Sequence, residues 1–220
     1  MKKNNNSANG LIVGAGFHKT GTSTLSAALK ILGYRVRGIS RRPLTPILNK
    51  NYSKVQKMLK NYDAVQDVPW FMIYKELDEL FPHSKFILTI RDEESWYQSV
   101  KKQIGRLRSA QDEWIYGRGK GLPKDNKENT IRVYQQHNRE VIEYFKNRPD
   151  DLLILNFKNG DKWEKLCDFL NQDIPNEPFP HYNKSKTNKM MENKSKTKIL
   201  RRQVKNHLKI KYIDWFEGWN

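Results

Sequence analysis

The chain has 220 residues and a formal net charge of +17, with 37% apolar and 30% charged residues. That length supports one domain with a single sizeable core, and the low apolar share places part of the chain outside it. A single cysteine, Cys167, excludes an intrachain disulfide, and no run of about 18 apolar residues exists to form a spanning helix.

Residues 1–9 are polar and are expected to be disordered. Leu11 to Gly16 is an apolar run that predicts a buried strand, and Ser23 to Leu32 predicts a helix ended by Gly33. A short second strand is expected over Tyr34 to Gly38, a helix over Thr45 to Tyr62, and a third strand over Asp63 to Asp67, stopped by Pro69. Trp70 to Phe81 has helical spacing; Lys85 to Ile90, KFILTI, is the clearest buried strand; Glu93 to Leu107 follows as a helix. Residues 105–124 hold four glycines among basic residues, a composition suited either to a mobile loop or to a plain surface connection. Ile131, Tyr134, Val141, Ile142 and Phe145 mark a long helix, Leu152 to Leu155 a last strand, and Trp163 to Leu170 a last core helix.

Strands alternating with helices predict an α/β fold: a three-layer, P-loop-like parallel β-sheet flanked by helices, over residues 10–183. The segment 184–220 reads as a basic low-complexity stretch and a C-terminal helix. Lys184 to Lys211 holds eleven Lys/Arg against Glu192 alone, which is +10 of the total charge, and Leu200, Val204, Leu208 and Tyr212 form a helical stripe. The charge run reads as solvated or as a weak contact for an anionic surface, and the helix after it is expected to dock on the parent domain rather than on a membrane or nucleic acid. With neither a secretory leader nor a spanning segment read from the sequence, a cytoplasmic location is expected.

The chemistry concentrates between the first strand and the first helix, in GAGFHKTGTSTL from Gly14 to Leu25. A phosphate loop needs Gly-x4-Gly-Lys-Ser/Thr; Gly16 to Ser23 keeps both glycines and the hydroxyl but has Thr22 in the lysine position. The lysine stands inside the loop, at Lys19. Backbone N–H groups and the positive end of the following helix still make this an anion cradle. Asp67 and Arg91 also fall just after strands, and in parallel sheets ligands gather at the strands' carboxyl ends.

Lys19-Thr20-Gly21-Thr22-Ser23-Thr24 after one strand and Arg91 to Ser99 after another resemble the PAPS-dependent sulfotransferases. So do Asp67-Val-Pro, Tyr74-Lys-Glu-Leu, Phe81-Pro, Trp163 to Leu170 and Pro178 to Asn183, which look like a compact branch of that superfamily. The resemblance spans about residues 11–183. It implies that Lys19 to Thr24 hold the 5′-phosphosulfate of 3′-phosphoadenosine 5′-phosphosulfate (PAPS), and that Arg91 and Ser99, eight residues apart, hold its 3′-phosphate. It implies no obligatory metal.

On that resemblance Lys19 neutralises the bridging oxygen as the phosphosulfate bond breaks, and Asp67 takes the proton of the acceptor, a small-molecule, lipid or glycan hydroxyl, or an amine. Asp67 would otherwise orient substrate or cap the Trp70 helix. His18 is a second candidate base, and His181 and Asn183 border the site. Trp70, Trp96 and Phe157 are each either an adenine partner or core; Lys184 and Lys186 are candidates to close the 3′-phosphate site. Two other functions fit parts of the sequence. A nucleotide kinase or NTPase fits the loop but not Thr22. A nucleic-acid-binding module fits the tail, although the charge elsewhere is modest and not interleaved with aromatics.

Overall fold

The computed structural model describes residues 10–103 and 109–181, and Leu208. Residues 1–9 and the basic tail, with Asn183, Lys184, Lys186 and all of the helical stripe except Leu208, lie outside the described residues. Two compact units divide the chain: one formed up to Trp96 and from Tyr134 to Pro180, the other from Tyr97 to Val133 and from His181 onward.

The first unit is a sheet of β1 (Ile12–Gly14), β2 (Val36–Arg37), β3 (Ala64–Gln66), β4 (Lys85–Thr89) and β5 (Leu152–Leu155), in the order β2-β3-β1-β4-β5. Every pairing is parallel; Val13 stands opposite Val65 on one side and Phe86 on the other. The central strands are short and, apart from Lys85 at the start of β4, buried, as their apolar runs predict for a sheet covered on both faces. One face carries α1 (Thr22–Ile31) and α8 (Trp163–Leu170), whose Leu25, Ala28, Leu29, Leu166 and Cys167 pack with Ile12, Ala64, Ile87 and Leu155. Burying each such Leu or Ile contributes about 2 kcal/mol.

The other face receives the C-terminal half of α7 (Lys127–Tyr144). There Phe145 meets Phe86 with ring centroids 4.5 Å apart, and the His137 ring reaches the Ala15 carbonyl at 2.7 Å. β1 lies between β3 and β4, so the chain reverses its direction of travel across the sheet at this strand, the position where such sheets bind ligands.

The expected helix over Thr45 to Tyr62 is two helices, α2 (Leu44–Leu48) and α3 (Tyr52–Leu59). Between them Lys50 turns left-handed (φ 51), and the Asn51 side chain accepts the Lys54 N–H, a cap that restarts the helix. After β3 the chain passes Asp67 (φ 68) and a cis Val68–Pro69 peptide into a 3-10 turn, Trp70–Ile73, which leads into α4 (Tyr74–Leu80). The first turn of α5 (Glu93–Gln103) completes the unit.

In the second unit the glycine-bearing segment holds a helix that composition hid, α6 (Ala110–Tyr116). Ser109 caps it by accepting the Asp112 N–H, and three of the four glycines fall after its end. Those that follow are not loose. The buried Glu113 carboxylate accepts the N–H groups of Gly119 and Gly121, and the Asn129 amide donates to the Tyr116 carbonyl.

Candidate active site

The loop leaving β1 is strapped to the end of β4. Ala15 donates to the Ile87 carbonyl at 2.9 Å, and the Thr20 hydroxyl lies 2.6 Å from both the Phe17 carbonyl and the Thr89 hydroxyl. A Cβ on Gly16 would stand 2.1 Å from the Thr89 hydroxyl oxygen, so a glycine is needed for this approach. Lys19 then turns left-handed (φ 70), and Gly21 (φ 112) opens α1 without any side-chain cap. An α-helix begun this way presents its first-turn N–H groups and dipole to an anion.

Asp67 and Arg91 converge on this loop from opposite sides of β1. The Asp67 carboxylate accepts the Thr22 hydroxyl at 2.8 Å through Oδ2 and the Val68 N–H at 2.8 Å through Oδ1. The 3-10 turn at Trp70 has no side-chain cap, so Asp67 is held toward α1 and does not cap the segment that follows it. Arg91 donates from Nη1 to the Lys19 carbonyl at 3.4 Å and from Nε to the Ser95 hydroxyl at 2.9 Å. Its Nη2 has no hydrogen-bond partner among the described residues. Lys19, Thr22, Asp67 and Arg91 therefore share one rim: two cations and a helix N-terminus, with a carboxylate beside them.

The remaining sequence candidates divide by burial. Ser23 is half-buried on the first turn of α1, and Thr24 is buried one position on. Thr20 is buried, with its hydroxyl engaged inside the loop. Ser99 is half-buried in α5, in the part of that helix belonging to the second unit, and the Arg91 side chain bonds Ser95. Trp70 and Trp96 are fully enclosed core residues. Phe157 is half-buried with its ring against Gly21, where a Cβ would come within 2.5 Å of it. His181 is exposed. Ser95, Thr89 and Tyr134, whose hydroxyl bonds the Arg91 backbone, were missed in the sequence. Only Ser95 had a signal, one helical turn beyond Arg91. Among the described residues no cluster of three or more His, Cys, Asp or Glu stands close enough to share a metal ion, and no helix is long and apolar enough to cross a membrane.

His18 is core. Its imidazole is buried beside Trp96, and burial, the Lys19 ammonium and His137 together hold its pKa down at about 3. Burial also lowers the pKa of His137. Between 6.5 and about 3 the unfolded chain binds a proton at position 18 that the folded chain does not, so stability falls as pH falls through that window. Thermal melts should show a loss of about 1.4 kcal/mol for each pH unit below 6.5 from His18 alone, and a shallower slope in His18→Asn. A melting temperature that does not change with pH in that window would place His18 in water.

The sulfotransferase domain family matches residues 11–117 and 106–188, most of the chain and the whole of this sheet and loop system. The chain belongs to the sulfotransferase family. A relative from Aspergillus versicolor, described as Ava biosynthesis cluster protein M, is 27% identical over 212 residues, covering 76% of this chain and 78% of its own. Within the sulfotransferase frame, the matched region contains β1 with its loop, Asp67 and Arg91, and it stops at residue 188, short of most of the basic tail.

Proposed function

We propose that this sulfotransferase moves the sulfuryl group of PAPS onto a hydroxyl, or an amine, of a small-molecule, lipid or glycan acceptor. The observation that carries the reading is the bond from Arg91 to the Lys19 carbonyl. It brings a guanidinium to the edge of an uncapped helix N-terminus, which suits a ligand with two separated anionic ends.

When bound, PAPS supplies a sulfuryl group activated by its anhydride to phosphate. Lys19 would neutralise the charge that develops on the bridging oxygen. The first-turn N–H groups of α1 and the Ser23 hydroxyl would hold the 5′-phosphate, with Thr20, Gly21 and Thr24 shaping the backbone around it. Arg91 would engage the 3′-phosphate through its fork of donors, with Ser99 as a second ligand. Asp67, oriented by Thr22, would take the acceptor's proton. The Thr22 hydroxyl thus serves the carboxylate rather than the anion. Phe157, with one edge of its ring close to Gly21, would be the aromatic surface for the base.

The kinase reading loses support from the same bond, since the residue in the phosphate-lysine position is committed to Asp67. Adenosine 3′,5′-bisphosphate is expected to raise the melting temperature more than Mg-ATP at equal concentration. Equal or stronger stabilisation by Mg-ATP would overturn the donor assignment.

A further inference from the structure

Two segments of the proposed donor site are joined underneath by a stacked aromatic pair, Trp96 from within the Arg91 to Ser99 segment and Tyr134 from outside every segment that carries the resemblance. Trp96, on the first turn of α5, donates its indole N–H to the His18 carbonyl at 2.8 Å, inside the loop. Tyr134, on α7, lies parallel to it with centroids 4.1 Å apart and planes 13° apart. The Tyr134 hydroxyl accepts the Arg91 N–H at 2.9 Å and donates to the Arg91 carbonyl at 2.9 Å. Phe17 meets both rings edge-on, at 5.6 and 5.8 Å, and closes the group from the loop side.

We infer that Tyr134 is a positioning residue for donor recognition: with Trp96 it fixes the separation between the Lys19 loop and the Arg91 guanidinium, and so selects a doubly phosphorylated nucleotide over a singly phosphorylated one. A flexible side chain such as arginine gains little from a second anion unless its backbone is held, because ordering it on binding costs affinity. Tyr134 holds both the N–H and the C=O of Arg91, so the side chain, itself bonded to the Ser95 hydroxyl and the Lys19 carbonyl, reaches out from a fixed backbone. Tyr134 is 1% exposed. Burial pushes the phenol up, so the hydroxyl keeps the proton it donates to Arg91. The two bonded residues stand 43 apart in sequence, and the stack makes the distance between the anion-binding segments a property of the core.

This inference rests on Arg91 facing the 3′-phosphate, and the test separates the two. Isothermal titration of adenosine 3′,5′-bisphosphate and adenosine 5′-monophosphate into the wild-type protein measures the preference that Arg91 creates. Tyr134→Phe keeps the ring and leaves the Arg91 N–H and C=O without their hydroxyl. It is expected to weaken bisphosphate binding about tenfold and to leave the monophosphate within about twofold. In an Arg91→Ala background the same substitution should add nothing, since Tyr134 acts through Arg91. If Tyr134→Phe does not fold, Trp96→Phe, which releases the His18 carbonyl, should narrow the same preference. Equal loss for both ligands, or no loss for either, overturns the positioning role. A wild-type protein without the preference overturns the 3′-phosphate assignment itself, before any variant is compared.

Discussion

Lys19→Ala is expected to lower turnover by about a thousandfold while weakening the bisphosphate product by less than about tenfold. The two measurements separate because the lysine's charge matters most where an anhydride oxygen becomes a full phosphate oxygen, and the product has already passed that point. Lys19 is half-buried and left-handed at φ 70, so its backbone is held by the loop and by Arg91 whatever side chain it carries. Alanine at that φ bears the same strain as lysine, which leaves the cradle for the anion in place. The measurement is labelled-sulfate transfer onto the best acceptor in a panel of phenols, glycans and lipid alcohols, with product affinity from titration. Turnover within tenfold of wild type would remove Lys19 from the chemistry and leave it an anchor of the loop.

The sheet was legible because its strands are short apolar runs with turn residues on both sides; KFILTI and the Leu11 run lie where they were expected, one and three residues shorter. Two features were not. Three glycines in five residues from Gly117 masked α6 before them, since composition averages over a window and the Ser109 cap acts at one position. Pro46 and Lys50 lie inside one amphipathic pattern, and periodicity alone does not register the left-handed turn that divides it. At the site, Lys19, Asp67 and Arg91 could be picked out because each follows a strand, and strand ends share a rim. Their partners could not, since the Thr22–Asp67 and Arg91–Tyr134 bonds link residues 45 and 43 apart. Such pairings depend on which helix covers which face. The family spacing points to Ser99, and the Arg91 side chain is itself bonded to the Ser95 hydroxyl on the first turn of α5, a contact that the spacing does not carry.

Asp67→Asn is expected to cut turnover by about a hundredfold or more, with donor affinity nearly unchanged. Asparagine can keep its oxygen on the Val68 N–H and turn its amide N–H toward the Thr22 hydroxyl, which then accepts, so the bracing of α1 survives while the proton-accepting charge is lost. Thr22→Val distinguishes the chemical part of that loss from the orientational part. It leaves the carboxylate in place and removes only the hydroxyl that aims it. If Asp67 takes the proton, Asp67→Asn falls well below Thr22→Val, and Thr22→Ser, which keeps the hydroxyl, recovers most of the wild-type rate. If the carboxylate only braces the start of α1, the two substitutions cost about the same turnover, and Asp67→Asn weakens bisphosphate binding as strongly as it slows transfer. The split between turnover and donor affinity therefore decides whether the charge beside Lys19 receives the acceptor's proton or holds the loop that receives the donor.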